Sequence, residues 1–354
     1  MSQTSNSAFL CLVLFFNWNI SGSPVWGIGN DAEIDAALQE KFLREAPEGW
    51  RHLRELLLHS RGKVRMDVYL MAEKDEKRFL YSVDSKFAFT GANHRRVDGI
   101  TKSKNGREVS YSNTQNTEYV FQVQGAVGGG RYALDNIDLN PKRDLWDTKS
   151  SSEDGTWQVG PVIFGPFSIY NYDLQEICNS PSFELKKLQN TDGKIFAAFR
   201  STHPQDGSSR EVTMTMDPEN SWAVTSYYFE FPSPKKSDLL LAAQGTIQYE
   251  DLPFGTTGVR IPKTAVEDGG TAEAVQTNDG SVERFEYSLT EFDHVEVPES
   301  EFTVAAFGLT KTGESLSVSG KEGRGWLLLY LNIGVLILGV GYWLARRLSG
   351  SKAR

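Results

Sequence analysis

From Trp326 to Ala345 the chain reads WLLLYLNIGVLILGVGYWLA, 20 residues without a charge. A helix rising about 1.5 Å per residue spans about 30 Å over that length, the thickness of a bilayer's hydrocarbon core. The run predicts a transmembrane helix over 326–345, and whatever precedes it must be delivered to that membrane. Trp326 and Tyr330 at one end, and Tyr342 and Trp343 at the other, are placed as an interfacial aromatic belt. Arg346, Arg347, Lys352 and Arg354 follow the span with no acid among them, whereas Lys321 and Arg324 before it are offset by Glu322. Basic flanks stay on the cytoplasmic side. The expectation is a single-pass inner-membrane protein with a cytoplasmic tail and a periplasmic or otherwise extracytoplasmic bulk. No Gly-x-x-x-Gly pair occurs in the run, so no helix-dimer face is indicated.

The start of the chain agrees. Ala8 to Phe16, AFLCLVLFF, is apolar but too short to span, and Ser21 to Pro24 lead into Val25-Trp26-Gly27. That is the layout of a secretory signal cleaved after Gly27. The first residues, MSQTSNS, lack the usual Lys or Arg, which keeps an uncleaved signal-anchor as the alternative. The expected organisation is a signal peptide over 1–27, an exported domain over 28–310, a linker over 311–325, the membrane helix over 326–345 and a basic tail over 346–354.

Charge and cysteine narrow the function. The chain is acidic, −9 overall although its tail is basic. A nucleic-acid partner would need a basic patch to displace counterions, so none is expected. Cys11 falls in the leader and leaves Cys178 alone in the exported part. One thiol makes no internal disulfide, so the domain must hold together by packing. Cys178 sits among Leu174, Ile177 and Phe183, as a buried structural thiol would.

The exported part opens with helical periodicity. Asp31 is placed to cap a helix broken at Pro47, with a second helix from Glu48 to His59 ended by Gly62. Period-two alternation follows at 64–70, 79–83, 119–123, 131–134 and 157–159, with Gly128-Gly129-Gly130 as a hairpin loop. Residues 164–180 are mixed, with Tyr170, Leu174, Ile177 and Cys178 at helical spacing and Pro181 as a stop. Strands resume at 195–200, 212–216, 222–231, 240–249, 259–262, 282–291 and 302–307, and Asp217 to Asn220 forms a turn. The fold class predicted is α+β, mainly antiparallel β: a curved half-barrel with N-terminal and mid-chain helices, plus the C-terminal transmembrane helix. So many sequential strands with short turns curl into a barrel or curved sheet.

This order of elements, helix, strands, helix, strands, resembles the LolA/LolB-like lipoprotein-carrier fold, shared by the large domain of the sigma-factor regulator RseB. It is similar also to uncharacterised single-pass proteins of planctomycete bacteria. There a signal peptide precedes such a domain, and a segment like Glu301 to Leu309, EFTVAAFGL, comes before a membrane span and basic tail. The Phe183 and Trp222 neighbourhoods are similar too. The resemblance covers most of residues 31–347 and is one of layout, without a diagnostic motif. It implies an apolar ligand, such as a lipid or lipoprotein acyl chain, held in the half-barrel. The carriers themselves are soluble or lipid-anchored, and a helical anchor does not suit shuttling between membranes.

The candidate ligand-binding residues are the strand aromatics Tyr119, Phe121, Trp157, Trp222 and Tyr228, which could wall an apolar cavity. The plainer reading of the same residues is core. His52, Glu55 and His59 are spaced i, i+3, i+7 and so share a helix face, which is a ligand spacing for zinc. It is also the spacing of a solvated face opposite Leu53, Leu56 and Leu57. Glu291, Asp293, His294 and Glu296 read as a solvated turn. Ser60-x-x-Lys63 and Ser233-x-x-Lys236 match a serine–lysine pattern that is common by chance. No nucleophile elbow, P-loop or His-Glu-x-x-His occurs. The sequence predicts a binding protein rather than an enzyme, with no cofactor and no metal. An envelope interaction protein with a filled barrel, bearing a protein partner on its rim, is the alternative.

Overall fold

Asp35 caps the first helix, α1 (Ala36–Leu57), its carboxylate accepting from the Ala37 backbone N–H at 2.9 Å. Phe42, Ala46, Trp50, Leu53, Leu56 and Leu57 form one buried stripe along it. The predicted break at Pro47 is corrected: Pro47 lies inside a continuous helix. A proline there removes one donor and frees the carbonyl of Leu43. The Leu43 side chain is 44% exposed, so water can reach that turn while the buried stripe carries the helix across it.

The computed structural model describes residues 35–71, 76–91, 93–125, 132–138, 159–169, 172–202, 209–233, 239–277 and 282–309. Asp31, the leader, the linker, the transmembrane segment and the tail lie outside these described residues. So do Trp326, Tyr330, Tyr342, Trp343, Arg346 and Arg347. Among the described residues no helix is long and apolar enough to cross a membrane.

After α1 come β1 (His59–Met71), β2 (Lys77–Thr90), β3 (His94–Ser103), β4 (Glu108–Gln115), β5 (Val120–Gly125) and β6 (Tyr132–Asp138), each paired with the next. A connection follows with α2 (Gly160–Ile163), β7 (Ser168–Ile169), β8 (Tyr172–Asp173) and α3 (Leu174–Asn179). A second meander then runs through β9 (Glu184–Thr191), β10 (Lys194–Thr202), β11 (Ser209–Asp217), β12 (Ala223–Pro232), β13 (Leu240–Tyr249), β14 (Pro262–Thr271) and β15 (Glu283–His294). The short α4 (Ala272–Thr277) lies between β14 and β15.

The two meanders make one 13-stranded antiparallel sheet, joined where β1 pairs with β15. Its ends, β6 and β9, do not pair with each other, so the sheet is open. It is also curved. Phe164, directly after α2, meets Phe89 of β2 with ring centroids 5.7 Å apart, while α2 packs on β13, β14 and β15. In a flat sheet β2 and β13 would lie about 19 Å apart. A helix of 4 residues reaches both because the strands bend around it.

The concave face carries the main core, with α1 and α2 laid across it. Trp50 of α1 donates its indole N–H to the Trp222 carbonyl at 2.9 Å. Arg54 of α1 pairs with Asp173, the cap of α3, at 2.8 Å. Gly49 lets α1 settle on the β11–β12 turn, since a Cβ there would lie 2.4 Å from the Ser221 carbonyl oxygen.

Several predicted elements are corrected. Gly62 does not end a helix but lies inside β1, and His59 opens that strand. β3, β4, β9 and most of β14 were not legible as strands, because charged and amide side chains interrupt the apolar alternation along each. Val159 is not in a strand but precedes α2. Residues 164–180 are mixed as expected: they hold the β7–β8 pair and the 6-residue α3, which contains Leu174, Ile177 and Cys178. Trp222 lies in the turn before β12, with φ of 58°. Residues 302–307 fall in two 3-10 turns, Glu299–Phe302 and Val304–Phe307, not a strand. The turn at 217–220 and the antiparallel pairing of β5 with β6 match expectation, the Gly128–Gly130 loop lying outside the described residues.

Candidate functional site

The concave layer is apolar across most of its width. Phe42 contacts Trp50 and Trp222 edge to face, at centroid distances of 6.0 and 5.9 Å. Met66, Met214 and Met216 are fully or almost fully buried beneath the helices; unbranched thioether side chains of this kind repack readily. The layer therefore joins rigid aromatic walls to adaptable filler.

Toward β4 the same face turns polar. Asn113 lies opposite Val97, and Val97 opposite Phe87, so all three share the concave side. Gln115, two residues on, shares it as well. Asn113 is 3% exposed and Gln115 is 4% exposed, yet Asn113 Nδ2 and Gln115 Oε1 have no hydrogen-bond partner among the described residues. A buried unsatisfied polar atom costs about 1–3 kcal/mol. One donor and one acceptor on a single strand face are thus left for a group that supplies both.

A second polar element of the concave face is Glu267 of β14, which accepts a hydrogen bond from the Tyr227 hydroxyl. Burial, with the adjacent Asp268 charge adding to it, pushes the Glu267 carboxyl up to about 7 against the opposing effect of the Tyr227 bond. The folded pKa lies above the unfolded one, so stability is complete at low pH. It falls as pH rises from the unfolded value of 4.5 through 7. Glu267→Gln is expected to flatten that slope and to be more stable than the wild type by about 2 kcal/mol at pH 8, read by urea unfolding at pH 5 and pH 8. Identical slopes for both proteins would contradict this assignment.

The sequence-predicted aromatics do not meet in one cavity. Trp222 belongs to the concave core. Tyr119 and Phe121 face the other way and pack with Val123, Val304 and Phe307 in a separate cluster. Tyr228 lies in a third cluster with Met71, Ala274 and Val275 under α4, its hydroxyl bonded to Glu230 and accepting from Gln276 at 2.8 Å. Trp157 lies outside the described residues. Asn113 and Gln115 were missed because an amide in an irregular stretch gives no periodic signal.

The other motifs disperse. Glu55 pairs with Arg51 at 2.7 Å on the exposed side of α1, and His59 has left the helix, so His52, Glu55 and His59 do not share a helix face. Ser60 is buried and donates to the Leu57 carbonyl at 2.6 Å. Lys63 points to the opposite face of β1. Burial pushes the Cys178 thiol up to about 12, which keeps it protonated at neutral pH. Among the described residues no group of three or more His, Cys, Asp and Glu is placed to hold a metal ion.

No protein-family model matches the sequence, and a search of curated proteins finds no match. Among solved structures, the chain is similar to a crystal structure from Vibrio parahaemolyticus of a domain named for outer membrane lipoprotein sorting. The TM-score is 0.43 at 12% identity, over 76% of this chain and 99% of that one.

Proposed function

We propose that the domain is an extracytoplasmic binding protein that holds the acyl chain of a lipid or lipoprotein against the concave face of its sheet. It acts by binding, without catalysis, and is tethered to the inner membrane by 326–345 with its basic tail in the cytoplasm. The observation that carries this reading is the make-up of the concave face. An apolar layer of aromatic and methionine side chains runs up to Asn113 and Gln115, where Asn113 Nδ2 and Gln115 Oε1 lack partners among the described residues. Small-molecule sites combine such walls with a few convergent polar groups. The acyl chain would lie between α1 and the sheet, and its ester or amide would meet the two side-chain amides. Entry requires α1 to shift, and among the described residues its polar ties to the sheet and to α3 include Trp50–Trp222, Arg54–Asp173, the Leu56 carbonyl with the His294 ring and the Leu57 carbonyl with Ser60.

Titrating the domain with a pyrene-labelled diacyl lipid tests the proposal. Saturable binding is expected, weakened about fivefold by Asn113→Ala through loss of about 1 kcal/mol of hydrogen bonding. Absence of saturable binding would overturn it. The filling of the concave side by α1 and α2 favours a second reading, an envelope interaction protein that binds a partner at its rim and no lipid.

A further inference from the structure

On the opposite, convex face a cleft of about 370 Å³ lies over β15, β1, β2 and β3. That volume is in the range of about 300–1,000 Å³ typical of small-molecule sites. Strand register sets its walls. Ala88 lies directly between Arg61 of β1 and Arg96 of β3. Two residues along, Lys86 lies directly between Lys63 and Asp98. A methyl group thus forms part of the floor, and the basic side chains rise around it.

The cations of this ring are unevenly neutralised. Arg96 is held by Asp98 at 2.8 Å, and Lys63 by Glu291 at 2.6 Å. Lys86 is exposed and has no ion-pair or hydrogen-bond partner among the described residues. It also faces Lys63 directly across the strands, a like-charge placement that is unfavourable without an anion. Arg61 meets Glu301 through one contact of 3.2 Å, and its Nε is buried without a partner among the described residues.

Glu301 comes from the 3-10 turn Glu299–Phe302, which crosses this face. Its carboxylate takes Arg61, and its backbone carbonyl accepts from Arg96 at 3.2 Å. The protein thereby lodges an oxyanion of its own between the arginines. The turn is anchored separately, by fully buried Phe302 and by Asn116, which donates to the Phe302 carbonyl at 2.8 Å. The Glu301 side chain can therefore swing out while the turn stays in place. With it displaced, Arg61, Lys63, Lys86 and Arg96 face only Asp98, Glu291 and Asp293, and the cleft is left with net positive charge.

We propose that this convex cleft is a binding site for a phosphate-class oxyanion, which enters by replacing the Glu301 carboxylate on Arg61 and is completed by Lys86. The anion is inorganic phosphate or the phosphodiester of a lipid headgroup, and the site does not depend on what the concave face holds.

Calorimetric titration of the full chain in nonionic detergent tests this with inorganic phosphate in one arm and dihexanoyl phosphatidylglycerol in the other. Glu301→Gln removes the competing charge and is expected to tighten binding about fivefold; Lys86→Gln, at an exposed position, is expected to weaken it about fivefold. Both variants should melt within about a degree of the wild type, as surface changes do. Tighter binding of the phosphatidylglycerol identifies a lipid headgroup as the source, and equal or weaker binding identifies free phosphate. No saturable binding to either the wild type or Glu301→Gln, or affinities unmoved by both substitutions, overturns the proposal.

Discussion

Trp50→Ala is expected to destabilise the domain by about 3–5 kcal/mol, the range for emptying a buried tryptophan site. Trp50 is 1% exposed and packs edge to face on Phe42. Its indole N–H also bonds the carbonyl of Trp222, in a turn where Ser221 and Trp222 both have positive φ. Non-glycine residues adopt that conformation at a cost, and the bond from α1 helps to hold it. Losing the indole opens a cavity and leaves a buried carbonyl unpaired. Trp50→Phe separates these effects, because the ring remains while the donor goes, and should cost about 1–2 kcal/mol. Urea unfolding followed by circular dichroism measures both. Equal losses for the two variants would mean that packing contributes little and the hydrogen bond nearly everything.

Gly62→Ala is expected to cost about 3 kcal/mol or more, at the upper end for overpacking. The new Cβ would lie 2.1 Å from the Glu291 backbone oxygen and 2.7 Å from the Phe87 ring. The ring can tilt, but the carbonyl belongs to β15 and cannot move without opening the ladder. The site sits beside an irregularity of register between Lys63 and Val64, where β1 already departs from regular pairing. β1 and β15 are the strands through which the two meanders join, so a clash there acts on the whole sheet. Gly269→Ala on β14, where an added Cβ would meet nothing nearer than the Phe285 ring at 3.9 Å, is the control. A Gly62→Ala protein with an unchanged urea midpoint would show that the seam tolerates separation.

The fold class was legible in the sequence where one face is apolar and the other wet. Val64, Met66 and Val68 alternate with Arg65 and Asp67, and that segment is part of a strand. β3 was not legible, because His94-Arg95-Arg96-Val97-Asp98 places arginines on both faces. One face meets the core and the other meets the 3-10 turns at 299–307, so neither is an ordinary solvent face. β14 hides for the same reason, with Glu267 half-buried on the concave side and Asp268 paired to Arg284 at 2.7 Å on the convex side. Pro47 misled because proline was weighed as a local breaker, whereas the buried stripe from Phe42 to Leu57 decides that helix. Of the candidate aromatics Tyr119, Phe121, Trp222 and Tyr228 are buried, but sequence alone does not assign a face. Tyr119 and Phe121 came out convex, with Trp222 on the concave side. Unpartnered amides and a carboxylate between arginines depend on register, which no single stretch encodes.

Whether the concave face holds a lipid is tested most directly by native mass spectrometry of residues 35–309, exported by the producing cell and purified without detergent. The account predicts a bound species that carries the mass of a lipid or acyl chain and whose occupancy falls in Asn113→Ala and Trp50→Ala at equal folded content. A domain that flies at its bare polypeptide mass, and stays so after incubation with total membrane lipid, would contradict it.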